Sequence, residues 1–210
     1  MSKKKSNTKL DPTTEEKIKN AARTVFHKKG YAASRTRDIA EEAGINLALL
    51  NYYFRSKEKL FDIIMMETMQ GFLTSIKDIL NDERTSFEKK IEFIISNYID
   101  LLIAQPDIPL FVLGEIRNEP EVLISKINGK KILMKSHFIL QYQQQIKAGK
   151  IAAVHPLHFI MNLLGMIVFP FVGSPILKSL GDIKQKEFEI LMLQRKKLIP
   201  KWIDAMLKIK

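Results

Sequence analysis

The side chains best placed to do chemistry lie between Ser34 and Leu60, in the run SRTRDIAEEAGINLALLNYYFRSKEKL. Ile39, Ala40 and Ala43 give a short helix over residues 36–43 its inner face, with Ser34 as the expected cap, within a residue either way. Gly44 permits a tight turn, Ile45 plugs the gap behind it, and Asn46 caps a second helix over residues 47–54. That helix turns Leu50 and Phe54, four apart, toward the first. At about 100° per residue, Ala48, Leu49, Asn51 and Tyr52 then face outward. A merely solvated face would carry Lys and Glu, so Leu, Asn and Tyr in that position mark a contact face. Its chemistry is recognition, and the pattern is a helix-turn-helix.

Other residues with chemical potential are sparse. The chain has no cysteine, which removes thiol nucleophiles, disulfides and zinc–cysteine or iron–sulfur sites. His155 and His158 stand at i, i+3 and have the donors for a metal, yet no third ligand lies near them in sequence, and His155 followed by Pro156 suits a helix cap. A structural role is the better reading. His137, with Glu115 and Arg117, falls in segments expected to line the interior of the second domain, where a polar group orients a ligand or is simply a satisfied core histidine. No histidine–carboxylate pair or Gly-rich phosphate loop is present. The chain is expected not to be an enzyme and to need no cofactor or metal.

Charge points the same way as the contact face. The net charge is +11, and residues 1–60 hold 14 Lys/Arg against 7 Asp/Glu, compared with 20 against 16 in the remainder. A basic end of this kind attracts polyphosphate, because each neutralised phosphate releases condensed counterions. The first 17 residues are basic with no apolar run behind them and do not read as a signal peptide. The most apolar window, residues 159–172, is shorter than the roughly 18 residues a bilayer span requires. A cytoplasmic, nucleoid-associated protein without membrane contact is expected.

The elements that must position the contact face are all helical. After a flexible basic tail over residues 1–11, Thr13 and Glu16 have capping-box spacing, and Ile18, Ala21, Ala22, Val25 and Phe26 form one apolar stripe ending at Gly30. A long helix runs from about Ser56 to Leu80. Thr85 with Glu88 opens another, broken at Gln105-Pro106, and a short helix precedes a break near Pro120. The segment 121–148 ends at Gly149. From His155 a helix apolar nearly all round runs to Phe171 and must bury two faces. A short turn over 176–180 and a final helix bent at Pro200 complete the chain. The expected fold class is all-α, with a helix-turn-helix domain over 12–58 and a larger helical domain over 59–210.

The run G-Y-x-A-S-x-T-R-D-I-A-E-E-A-G-I-N-x-A-L-L-x-Y-Y-F-x-S-K-E-K-L-F, from Gly30 to Phe61, resembles the DNA-binding domain of the tetracycline-repressor (TetR) family. The resemblance covers the first quarter of the chain; in that family the rest is a divergent helical domain that binds ligand and dimerises. It implies that Thr36 and Arg37, with Arg35 beside them, touch DNA backbone and a base. It implies further that Leu47, Ala48, Leu49, Asn51, Tyr52 and Tyr53 enter the major groove, and that Lys57 clamps a phosphate. The chemistry agrees: Asn pairs bidentately with adenine, Leu49 meets a thymine methyl, and Arg37 is the best reader of guanine. Leu47, Leu49 and Asn51 depart from the residues common in the family, which bears on base preference and leaves the binding mode alone.

The expected function is therefore that of a sequence-specific DNA-binding transcriptional regulator, a repressor, released from a palindromic operator by a small apolar effector. Two copies pair through the helix at 155–172 and the last helix, which places two reading heads about 34 Å apart. Met66, Met69, Phe72, Phe93, Tyr98, Met134, His137, Phe138 and Tyr142, with Met161, are expected to face inward, and the first nine are the candidate ligand-binding set. The alternative is a sequence-independent binder of nucleic acid or of an acidic surface, acting through the basic N-terminal region.

Overall fold

The computed structural model describes residues 12–118, 120–126 and 128–208. The expected basic tail over residues 1–11 lies outside them. Among the described residues there are twelve helices and no strand, as the all-α reading requires. They fall into two compact units, divided between Thr68 and Met69.

The first unit holds α1 (Pro12–Ala33), α2 (Thr36–Ala43), α3 (Leu47–Tyr53) and the first turns of α4 (Lys57–Asn81). Its core is the stripe read from sequence: Ile18, Ala22 and Phe26 of α1 close over Ile39 and Ala43 of α2, Leu50 and Phe54, and Leu60 and Ile64 of α4. The Phe26 and Phe61 rings meet edge to face at 5.0 Å. Gly30 does break α1, with φ +70°, although helical turns resume to Ala33. On the outside, Lys19 and Arg23 pair with Glu67 at 2.9 and 2.7 Å, tying α1 to α4. Such half-exposed pairs contribute about 0–1 kcal/mol each, so they orient more than they stabilise.

The second unit is built around α5 (Phe87–Ala104). The other helices are α6 (Ile108–Asn118), α7 (Pro120–Lys126), α8 (Gly129–Met134), α9 (His137–Lys147), α10 (Pro156–Val172), α11 (Ser174–Leu180) and α12 (Gln185–Lys208). Ile91, Ile95, Ile99 and Leu102 of α5 join Phe159, Leu163 and Ile167 of α10 and Phe188, Ile199 and Ile203 of α12 in one core. His155 caps α10, its Nδ1 accepting the Leu157 N–H at 3.2 Å, and Pro156 follows at the first position.

Several expectations are corrected. Ser86, not Thr85, caps α5: its Oγ accepts the Lys89 N–H at 3.2 Å, while the Thr85 hydroxyl donates to Asp82. Segment 121–148, undivided in the sequence reading, holds three helices separated at Asn128, whose φ is +54°, and at Ser136. The turn expected over 176–180 starts at Ser174. Phe93 and Met161, expected inside, are 44% and 58% exposed. Phe93 follows the buried Ile91 by two residues and Met161 follows the buried Phe159 by two, which is about 200° around a helix. An apolar identity does not move a side chain to the other face.

Candidate nucleic-acid interface

The contact face stands on backbone that local hydrogen bonds hold closely. α2 ends at Gly44 in the left-handed region, φ +61° and ψ +39°, where the Ile45 N–H returns to the Ala40 carbonyl at 3.0 Å. A residue with a Cβ would be strained there. Asn46 caps α3, its Oδ1 accepting the Leu49 N–H at 2.8 Å, as its position between the helices suggests.

At the head of α2 the cap lies one residue along from Ser34, within the expected residue either way. Arg35, not Ser34, is the capping residue, and its own N–H is bound by Asp38 Oδ2 at 3.1 Å. Asp38 also takes Lys29 at 3.0 Å, and these bonds, the lysine's first, hold its carboxyl below the ordinary range. Ser34 is buried and turns its hydroxyl back to the Gly30 carbonyl at 2.5 Å. Arg35 and Arg37 are consequently exposed on successive sides of Thr36, which is half-buried.

On α3, Leu50 is buried while Ala48 and Asn51 are exposed and Leu47, Leu49 and Tyr53 half-buried. Tyr52 is 55% exposed, with its ring edge to face on that of Tyr53 at 5.7 Å. The structure therefore brings Arg35, Arg37, Ala48, Asn51 and Tyr52 out to solvent on two helices joined by a three-residue turn. Such a face offers guanidinium, amide and phenol groups to a polyanion and its bases.

Lys57 is employed differently from its neighbours. Its ammonium donates to the carbonyls of Tyr31 at 2.9 Å and Ser34 at 3.0 Å, and lies 4.0 Å from the centre of the Tyr31 ring. Nearby Arg55, in the turn between α3 and α4, is exposed and makes no hydrogen bond or ion pair among the described residues. Sequence reading passed over it; the available signal was a cation two residues past α3.

The candidate ligand residues scatter. Phe138 and Tyr142 are buried, and with Phe87 and Phe159 they form a packed aromatic cluster with ring centres 5.0 to 6.0 Å apart. The Tyr142 hydroxyl is spent on the Val154 carbonyl at 2.8 Å. Both are buried within this cluster. Burial pushes the Tyr98 hydroxyl up to about 12. Met69 is buried, Met66 and Met134 are half-buried, Phe93 points out, and the side chain of Phe72 lies outside the description. His137 is turned to Lys90, 3.1 Å from its Nδ1. The side chain of Glu115 also lies outside the description, and Arg117 is exposed. Among the described residues, no single helix is long and apolar enough to cross a membrane.

Comparison with known proteins relates the helix-turn-helix to a family. The model of the bacterial regulatory proteins, tetR family, matches residues 18–64. The probable HTH-type transcriptional regulator YttP of Bacillus subtilis is 26% identical over 165 residues, 76% of this chain and 78% of its own. The fatty acid metabolism regulator protein of the same organism is 28% identical over 111 residues, 53% of this chain and 57% of its own. Among solved structures, the transcriptional regulator FadR from Bacillus subtilis in complex with stearoyl-CoA superposes with a TM-score of 0.61 at 19% identity, covering 91% of this chain and 98% of that one. The matched stretch begins and ends on Ile18 and Ile64, two fully buried residues of the helix-turn-helix core. Residues 18–64 carry the DNA-binding domain of the bacterial regulatory proteins, tetR family, and the protein is a DNA-binding transcriptional regulator.

Proposed function

We propose that the protein is a homodimeric repressor that holds a palindromic operator with α2 and α3 and leaves it when an apolar effector binds the second unit. The observation that carries the reading is the exposed pair Arg37 and Tyr52 on a face whose backbone is capped at Gly44 and Asn46. Arg37 is assigned to a guanine edge or the adjoining phosphate, Asn51 to adenine, and Tyr52 and Tyr53 to phosphate, with Thr36, Arg35, Leu47, Ala48 and Leu49 completing the surface. A reading head of this size covers few bases, so two heads are required, about 34 Å apart on one face of the duplex.

The second copy is supported by what one chain leaves bare. Leu157, Met161 and Leu164 form an exposed stripe on α10, and Leu191, Leu198 and Trp202 another on α12. Two such helices from each copy make a four-helix interface, covering apolar surface that a monomer rarely exposes. Effector release is assigned to α4, which carries the chain from the first unit into the second. Effector and operator then oppose one another through a coupling of about 1–3 kcal/mol.

The relative whose structure holds stearoyl-CoA suggests a long-chain acyl-CoA as the first effector to try. Gel shifts of the protein on its own upstream region, with Arg37→Ala and Tyr52→Ala beside it, test the reading face. Both variants are expected to lose the shift, and wild-type behaviour by both would refute the assignment. Adding stearoyl-CoA to the bound complex tests the effector class, and an unchanged shift at saturating ligand would exclude it.

A further inference from the structure

We infer that Arg55 makes the DNA-phosphate contact at the head of α4, and that Lys57 is an internal positioning residue for the reading face. The inference rests on the DNA-binding reading above and refines it. A lysine ammonium has three N–H donors and no acceptor. In Lys57 two of them are taken by the Tyr31 and Ser34 carbonyls, and the charge rests against the Tyr31 ring. At most one N–H is left for a phosphate, and turning the ammonium further would strand a carbonyl and give up the ring contact.

What the lysine holds explains why it is there. The Ser34 carbonyl and the Arg35 N–H belong to the same peptide bond. Lys57 pins its oxygen at 3.0 Å, and Asp38 pins its nitrogen at 3.1 Å. That peptide is the entrance to α2, from which Arg35, Thr36 and Arg37 project. Gly30 interrupts the helical turns that end at Ala33, and besides the ammonium this bend is held by the Ser34 hydroxyl on the Gly30 carbonyl and the long Ser34 N–H to Tyr31 contact of 3.3 Å.

Arg55 has the complementary character. Its backbone is fixed between buried Phe54 and Ser56, whose Oγ accepts the Lys59 N–H at 3.1 Å. Its side chain is exposed and uncommitted, two residues beyond the end of α3. A guanidinium there flanks the groove-reading helix and can take a phosphate bidentately with nothing to surrender.

Salt dependence separates the two roles, since only a residue that neutralises a phosphate releases a counterion. Fluorescence anisotropy of full-length wild type, Arg55→Ala, Arg55→Lys and Lys57→Met on a duplex of the gene's own upstream region should be run across a salt series. Arg55→Ala is expected to bind several-fold more weakly with a slope of log affinity on log salt shallower by about 0.9, and Arg55→Lys to restore the slope. Lys57→Met is expected to weaken binding with the slope unchanged and to raise amide exchange at residues 34–37. An unchanged slope in Arg55→Ala, or the 0.9 loss in Lys57→Met, overturns the assignment while leaving DNA binding intact. If Lys57→Met does not fold, Arg55, which supports no packing, still decides the question. Wild-type protein without salt-dependent binding to the duplex would instead sink the DNA-binding reading, and this inference with it.

Discussion

Nζ of Lys90 on α5 lies 3.1 Å from Nδ1 of His137 at the start of α9, and the lysine has no solvent exposure. The same ammonium donates to the Leu80 carbonyl in the last turn of α4 at 3.1 Å. An ammonium only donates, so Nδ1 is the acceptor in this contact. The His137 N–H in turn reaches Asn81 Oδ1 at 3.3 Å. One buried cation thus joins the end of α4 to α5 and α9.

Burial holds the Lys90 ammonium below its ordinary range, opposed by the nearby charges of Asp82 and Glu83. A lysine with a depressed folded pKa binds fewer protons folded than unfolded as pH climbs from that value to about 10.4, so stability rises across that window. Denaturant unfolding from neutral pH to about pH 10 should show the climb. Lys90→Met should lack it and be less stable by about 1–3 kcal/mol at neutral pH, because the Leu80 carbonyl and Nδ1 lose their donor. A pH profile shared by variant and wild type would remove Lys90 as the cause.

The helix-turn-helix should be most sensitive at Leu50, buried between α2 and α3. Leu50→Ala is expected to cost about 2–5 kcal/mol, and Asn46→Ala, which removes the cap on α3, about 1 kcal/mol. Chemical denaturation gives both values. Equal costs would mean that packing at Leu50 counts for less than its burial implies.

Trp202 on α12 is 41% exposed, and its ring lies 5.1 Å from the Arg195 guanidinium. A charge in either stripe would be buried in the proposed dimer, where Arg195, beside position 202, stands near enough to answer it there. Trp202→Glu, and separately Leu164→Glu on α10, should sediment as monomers and bind the operator at least tenfold more weakly. Dimers persisting in both variants would move the interface elsewhere.

Removing residues 2–9 deletes four lysines from the N-terminal tail. A specific regulator keeps its preference for operator over unrelated DNA, with weaker affinity for both and a shallower salt slope. Loss of the preference itself would favour the sequence-independent alternative.

Legibility from sequence followed the range of the forces involved. α2, the turn and α3 were readable almost to the residue because Gly44 and Asn46 act on backbone within five positions of themselves. The stripes of α1 and α5 were equally plain, since burial recurs at helical spacing. Phe93 and Met161 are apolar yet stand about 200° around their helices from the buried Ile91 and Phe159, and Ser86 offers the same hydroxyl as the adjacent Thr85. In the candidate ligand set, side-chain chemistry suggested a pocket wall, whereas the contacts put Phe138 and Tyr142 in a packed cluster.

By itself the sequence determined a helix-turn-helix with an unusual outer face, because local periodicity and caps depend only on near neighbours. Only the tertiary structure decided what each cation does. Lys57 and Arg55 are two residues apart and alike in charge, but one meets carbonyls 23 and 26 residues upstream, and the other meets solvent. Charge is written in the residue, whereas its partner is set by chain segments that folding brings together.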